Sequence, residues 1–459
     1  MKTRLLNLID NFRESFWFAP AMFAVGAILL ALGLLKLDST LSVDGQSETW
    51  FVRDAQAAQQ ILTAVASSVM TLAGVVFSIT LVALSIASSQ FGSRLLRCYM
   101  MESKADQLAG LLLSTGLFCY VVLHQVNDGE GEAMAFVPQY AVAAAALLGF
   151  TSVAMLIWFV HSTALNIQAP RLIATVSRDL DAAVDRLIPE SPEDAENQTA
   201  RTTAISAAEC DPDQELPQDP VMTVNSPYDG YIEGIDEQEL VALAKRENLF
   251  IKLQQHPGNF TTKLTELAEV FSLGSSSIDE ETKEEIEAEV HSNVVIGLRR
   301  TPRQDITCSM IELVEVATRA LSPGVNNPFL ALNCVDRLSA TMARVARREI
   351  PGSKVCDEDG TLRLLACRPT FDDLMTDAFA QIRQHGSSSV SVAIRLIEAL
   401  QRIARETRDS HRLAVIRREA EGIQASFLRS DPPDIDISDF DRRFEQLVKQ
   451  WQLTDQRCV

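Results

Sequence analysis

Between residues 55 and 93 no Asp, Glu, Lys, Arg or His interrupts the chain, and the polar positions that remain recur with helical spacing. At about 100° per residue, Gln56, Gln60, Thr63, Ser67, Thr71, Gly74, Ser78, Ser85, Ser88 and Ser89 fall in one stripe about 100° to 120° wide. Met70 and Leu81 lie on the same stripe, and the rest of the circumference is Ile, Leu, Val, Ala and Phe. This pattern predicts a bilayer-crossing helix whose hydroxyl seam faces protein or water. At about 1.5 Å per residue the run is near 58 Å long, well over the about 30 Å of hydrocarbon it must cross, so it is expected to project beyond the membrane.

Three further apolar runs have a spanning length, giving expected spans at about residues 16–35, 61–87, 108–126 and 140–160 within a transmembrane domain of residues 1–165. The first run is read as an anchor rather than a signal peptide, because Lys36, Leu37 and Asp38 stand where small cleavage-site residues belong. After the last span, residues 166–188 keep a helical stripe (Leu172, Ile173, Val176, Leu180, Val184) and extend it. Residues 189–220 lose all periodicity and turn rich in Pro, Glu, Asp, Gln and Thr, the composition of an acidic flexible linker.

Order resumes with strand alternation punctuated by Pro and Gly, a small β-rich module at residues 221–300 around a short helix at ELVALAKREN. Its spacing is loosely similar to the barrel-sandwich layout of biotinyl and lipoyl carriers. It lacks the lysine turn that would carry a prosthetic group, so no cofactor is expected. Residues 301–459 read as a helical domain. In RRTPRQD, Thr301, Pro302 and Gln304 fit an N-cap, an N1 proline and a capping-box residue for a helix reaching about residue 320, and Asn327 before Pro328 caps a second. A hairpin at residues 354–365 centres on Asp359-Gly360, a type I′ signal. Three amphipathic helices follow, then an acidic loop holding Asp434, Asp436, Asp439 and Asp441, and a final helix from about residue 440. The fold class is thus a mainly α membrane protein, four transmembrane helices followed by a cytoplasmic α+β region.

Charge sets orientation and excludes partners. Lys2, Arg4 and Arg13 precede the first span and Arg94, Arg97 and Lys104 follow the second, whereas Asp128, Glu130 and Glu132 lie between the third and fourth. The positive-inside rule then puts both termini in the cytoplasm of a multi-pass protein of a bacterial inner membrane. A formal net charge of −20 excludes nucleic acid as a partner. The expected partners are the lipid bilayer, further copies in a homo-oligomer, and small cations drawn to the acidic soluble part. Eight cysteines without C-x-x-C spacing read as reduced thiols, and no metal site is expected. Arg299, Arg300, Arg303 and Arg319 form a candidate anion site near a helix start, or pair with nearby carboxylates.

The text SITLVALSIASSQFGSRLLRCYM after the second span, PYDGYIEGID with LVALAKREN, and RRTPRQDITCSMIELVEVATRALSPGVNNPFLALNCVDRL resembles a bacterial family of uncharacterised predicted integral membrane proteins. That is a domain-of-unknown-function family with four spans and a cytoplasmic C-terminal domain, and the likeness covers nearly the whole chain. Where PGNFTTKLTELAEV stands, the resemblance implies a β ending richer in Gly and Val.

Two functions follow. In the first, copies assemble with the second span inward, so that Thr63, Ser67, Thr71, Gly74, Ser78, Leu81 and Ser85 line an ion path, Met70 and Leu81 form dry constrictions, and the acidic domain rings a vestibule. In the second, the seam only packs helices together, and the protein is a membrane-anchored scaffold or sensor in envelope maintenance with no conduction path. No catalytic motif is visible; an enzyme would need a cytoplasmic cavity where a His or Cys meets a converging acid.

Overall fold

A computed structural model describes residues 18–43, 51–52, 54–91, 105–126, 136–166, 169–190, 217–274 and 278–455. Most of the expected linker, and the loop charges used to orient the spans, lie outside these residues. The chain divides into two compact units, residues 1–172 and 173–459.

The first unit holds α1 (Phe18–Val43), α2 (Ala55–Phe91), α3 (Ala105–Leu123) and α4 (Gln139–Asn166), each long and apolar enough to cross a membrane. In hydrocarbon, water cannot satisfy backbone N–H and C=O groups, so these apolar segments form helices that satisfy them internally. α3 is the most enclosed, burying Leu108, Leu112, Phe118, Cys119 and Val122. Small residues set the close contacts: a Cβ at Gly110 would stand 2.9 Å from the Phe23 ring, and one at Gly149 would stand 3.1 Å from Val65.

The first helix runs to Val43 rather than ending near residue 35. Asp38, expected in a solvated connection, is buried in α1, where its carboxylate accepts the N–H groups of Tyr140 and Ala141, both at 3.0 Å. Those donors belong to the first turn of α4, which has no intrahelical acceptors for them. Gln139 secures the neighbouring chain, accepting from Val52 N at 2.9 Å.

The second unit begins with α5 (Ala169–Leu187), most of which lies in it and buries Ile173, Val176, Leu180 and Val184 along the expected stripe. Eight strands follow among further helices: β1 (Met222–Asn225), β2 (Gly230–Ile235), α6 (Glu237–Arg246), β3 (Leu249–Leu253), β4 (Phe260–Thr261), β5 (Glu266–Ser272), α7 (Glu280–Asn293) and β6 (Val294–Gly297). The text unlike the resembled family thus supplies β4 and the seven-residue strand β5. Then come α8 (Ile306–Ala320), α9 (Pro328–Arg347), β7 (Lys354–Cys356) and β8 (Leu362–Leu365). The chain closes with α10 (Phe371–His385), α11 (Val390–Ala404), α12 (Ser410–Leu428) and α13 (Asp434–Asp455).

One sheet has the order β1-β5-β3-β8-β7 and a smaller one β4-β2-β6. The 354–365 hairpin therefore joins the sheet of the preceding segment, β8 lying parallel to β3. Its turn is not type I′: only Gly360 has positive φ (80°), Gly360 N bonds Asp357 O at 3.0 Å, and the ladder shifts at Val355/Cys356. A type I turn followed by a left-handed glycine has this form.

The start of α8 also differs from expectation. Asp305, not Thr301, is the N-cap, accepting from Thr307 N at 2.9 Å. Gln304 is drawn away to β2, where its amide takes both sides of one residue's backbone, Ile235 N at 2.8 Å and Ile235 O at 3.1 Å. α8 buries Ile306, Met310, Leu313, Val314 and Ala317, and Asn327 caps α9 with Pro328 beside it. α13 starts at Asp434, so Asp434 and Asp436 stand in its first turn, where carboxylates favour the helix dipole, rather than in a loop.

α5 is held on α9 by Thr341 Oγ1 donating to Asp181 at 2.6 Å, and by Arg348, which bonds Asp185 at 2.7 Å, Glu190 at 2.6 Å and Ile188 O at 2.9 Å. Cys119, Cys334 and Cys367 carry free thiols, and burial pushes the Cys334 thiol up to about 12. Cys356 is disulfide-bonded, which corrects the expectation of reduced thiols throughout.

The HPGN turn before β4 locks onto β2 through Gly258 N to Ile232 O at 2.8 Å and Ile232 N to Asn259 O at 2.9 Å. Gly258 has φ of +100°, and a Cβ there would lie 2.5 Å from Asp305 Oδ2 and 2.7 Å from Arg300 Nη2. Gly258→Ala is expected to cost about 2 kcal/mol or more, seen as a lower unfolding midpoint of the full chain in detergent. An unchanged midpoint would contradict this packing.

Candidate functional site

Two places are candidates for a functional site, one in each unit. On α2 the buried residues are Ala55, Ala58, Leu62, Val69, Val76 and Ala83. By helical projection they centre about 180° away from the polar seam. Gln56, Gln60, Thr63, Ser67, Thr71, Gly74, Ser78 and Ser85 are all exposed on the outer face of the helix, as are Met70 and Leu81 at 55% and 54%. Ser67 donates to Ala64 O at 3.1 Å and Thr71 to Ser67 O at 2.9 Å, so these hydroxyls fold back onto carbonyls of their own helix. Met70 also leans toward α3, its sulfur 3.4 Å from where a Gly116 Cβ would stand. Val75, Phe77 and Val82 flank the seam as exposed apolar residues.

The four arginines of the candidate anion site do not converge. Arg319 stands in the last turn of α8, at the far end from Arg300. Arg299 and Arg303 are exposed, and Arg303 repels Arg186, whose guanidinium bonds Pro302 O at 2.6 Å. Arg300 is half-buried and committed to Asp305 at 2.7 Å and to the Thr307 hydroxyl.

That Arg300–Asp305 pair forms one wall of a cleft of about 330 Å³ in the second unit. Arg300 and Thr307 come from the turn before α8 and its first residues, His256 and Asn259 from the HPGN turn. Opposite them, α10 contributes Asp372, Asp373, Thr376 and Asp377, and α12 contributes Arg418. The capping box of α10, Thr370 with Asp373, fixes the helix start that presents these carboxylates. Arg418 forks onto Asp372, bonding one oxygen at 2.9 Å, and holds that carboxyl below its usual range. Asp377 titrates above its ordinary value, first because protein crowds it; Arg300 opposes that shift, and Asp373 and Asp305 reinforce it.

A histidine with converging acids is the arrangement an enzyme would need, and the sequence had not assembled it. The segments involved are separated by more than forty residues from one to the next. The available signals were the HPG turn and the i, i+4 spacing of Asp373 and Asp377, which puts both carboxylates on one helix face. Among the described residues no group of three His, Cys, Asp or Glu could hold a metal ion.

Four apolar spanning helices followed by an α+β unit define a multi-pass helical membrane protein. The chain belongs to the family described as predicted membrane protein (DUF2254), whose model matches residues 13–402. It is similar to uncharacterised proteins of Mycobacterium bovis and Mycobacterium tuberculosis, 28% identical over 418 residues, spanning 90% of this chain and 77% of each relative. No solved structure matches.

The raised value at Asp377 means that the folded protein holds this proton more tightly than the unfolded chain does. The stability so contributed is present below the ordinary carboxylate range and is lost as pH rises through the raised value. Asp377→Asn is therefore expected to raise the unfolding midpoint at neutral pH, the gain vanishing below about pH 3, where the native carboxyl is protonated in both states. Equal midpoints at both pH values would show that Asp377 is not strained.

Proposed function

We propose that this protein is a homo-oligomer of a bacterial inner membrane whose copies turn the α2 seam toward a shared axis, lining a path for small cations. The carrying observation is that the seam lies opposite the buried stripe of α2, covered by no other described helix of its own chain. Against acyl chains this row of amides and hydroxyls keeps only bonds to carbonyls of its own helix, whereas across a helix contact each hydroxyl contributes about 0.6 to 2 kcal/mol, and toward water it is solvated outright. In this arrangement Thr63, Ser67, Thr71, Gly74, Ser78 and Ser85 line the path. Leu81 narrows it, with Met70 at its margin toward α3. The acidic soluble part raises the local cation concentration.

The excess of Lys and Arg before the first span and after the second supports a cytoplasmic position for both termini. The Cys356 disulfide is the one feature that weighs against a reducing compartment for the second unit. A periplasm-only reporter fused after Val459 is expected to be inactive and one inserted at Asp128 active; the reverse would overturn the orientation.

Ser67→Cys and Ser78→Cys chains are expected to cross-link between copies in oxidised membranes, above the level of the unsubstituted chain, while Leu62→Cys, on the buried face, cross-links no more than the unsubstituted chain. In planar bilayers, Ser78→Val and Leu81→Ala are expected to change single-channel conductance in opposite directions. Currents indifferent to both substitutions would remove the path. Seam cross-links without any current would leave an oligomeric scaffold.

A further inference from the structure

Three loops meet at one end of the small sheet, and each holds a large apolar side chain out to solvent. β2 starts at Gly230, which pairs with Thr261 of β4, and the next residue, Tyr231, pairs with Gly297 of β6. Residues 226–229 before β2, 262–265 after β4 and 298–299 after β6 therefore leave the sheet at the same end. Neighbouring strands stand about 4.8 Å apart, so the two outer loops start about 10 Å from one another. Leu264 is 91% exposed and Leu298 90%, with Tyr228 and Phe260 exposed beside them.

Hydrogen bonds hold this display in place. Thr265 N donates to Thr262 O at 2.8 Å and Thr262 N to Thr265 Oγ1 at 3.0 Å, closing a tight turn with Leu264 at its third position. Turns facing water favour Gly, Asn, Asp or Ser over leucine. Asp229 ties this turn to the next loop by accepting Lys263 N at 2.9 Å, and Ser226 Oγ donates to Tyr228 O at 2.7 Å. Phe260 stands edge-on to Tyr231, with ring centres 5.1 Å apart.

Charge and connection to the bilayer indicate what covers this end. Lys263 and Arg299, both exposed, each adjoin one of the two leucines in sequence, and they offset Asp229 and the nearby Glu266. In a chain of net charge −20 this end is thus close to neutral, so an anionic lipid surface does not repel it. The spanning stretch of α4 ends at Thr163 and the second unit starts at Ile173, which leaves at most about 36 Å of chain between them. A lipid surface is therefore always near this unit. Single exposed apolar residues are ordinary, but four grouped at one sheet end with Lys and Arg beside them have the composition of an interfacial anchor.

We propose that this end of the small sheet docks on the bilayer surface, with Leu264 and Leu298 entering the boundary between headgroups and acyl chains, Tyr228 and Phe260 beside them, and Lys263 and Arg299 among the headgroups. The docking is independent of the α2 path and stands whether or not the protein conducts.

The test places an environment-sensitive fluorescent amino acid at residue 264, 298 or 435 of the full-length chain, in nanodiscs of equal parts phosphatidylcholine and phosphatidylglycerol. Ile435, on α13, is an exposed apolar residue away from the three loops and serves as the comparison. Phospholipid with a nitroxide at the top of its acyl chain is expected to quench the probes at 264 and 298 at least about twofold, since interfacial anchors sink about 5 to 10 Å, and to leave the probe at 435 unchanged. With the probe at 264, Leu298→Asp is expected to weaken the quenching; the position is on the surface, so the variant folds. Absence of quenching at both loop positions, or equal quenching at 435, would overturn the proposal. Shielding of the loop probes from aqueous iodide without nitroxide quenching would identify a protein as the occupant and overturn it as well.

Discussion

The second unit turns on one buried carboxylate. Asp305 ends a turn, starts α8, neutralises Arg300 and sets the floor beneath Gly258, so the HPGN turn and the start of α8 meet on that pair at 2.7 Å. Burying such a pair costs desolvation that its own attraction barely repays, but removing one partner strands the other at a cost of about 3 to 5 kcal/mol. The arrangement therefore gains definition more than stability.

The membrane unit obeys a different constraint. Between α1, α2, α3 and α4, contact is made by small residues and close apolar packing, with one buried hydroxyl pair, Thr115 and Ser152, at 3.5 Å. α2 breaks this economy by carrying its polar side chains on the face its own bundle ignores. Folding hydroxyls back onto carbonyls one turn earlier makes such a face tolerable during insertion. It does not explain why the face is continuous over much of the helix; the assembly proposed above would.

Where signals were local, the sequence read through to the structure. Charge-free runs marked the spans, and Asn327 followed by Pro328 marked the start of α9 because cap and N1 proline act within one turn. Thr301 misled for the same reason. Its spacing to Gln304 satisfies the capping-box pattern, yet Gln304 finds better acceptors and donors on Ile235, a strand brought near only by the fold. Asp359-Gly360 marked a turn but not its type, since aspartate there keeps ordinary φ and the ladder absorbs the difference as a bulge. Asp434 to Asp441 resembled a loop because two prolines and four carboxylates discourage helix, although prolines before a helix and acids in its first turns favour its start. No local pattern reports that His256, Arg300 and Asp377 line one cleft.

The carboxylate of Asp38 has a consequence for biogenesis. It belongs to the first helix made, but the two amides it needs belong to the last, about a hundred residues later in the chain. Until α4 arrives, an ionisable group at a helix end near the bilayer edge must keep water or neighbouring lipid headgroups around it. Docking of α4 releases that water and closes the bundle in one step. A chain that stalls before its fourth span thus carries an acid without its two amide donors, whereas the completed bundle buries it.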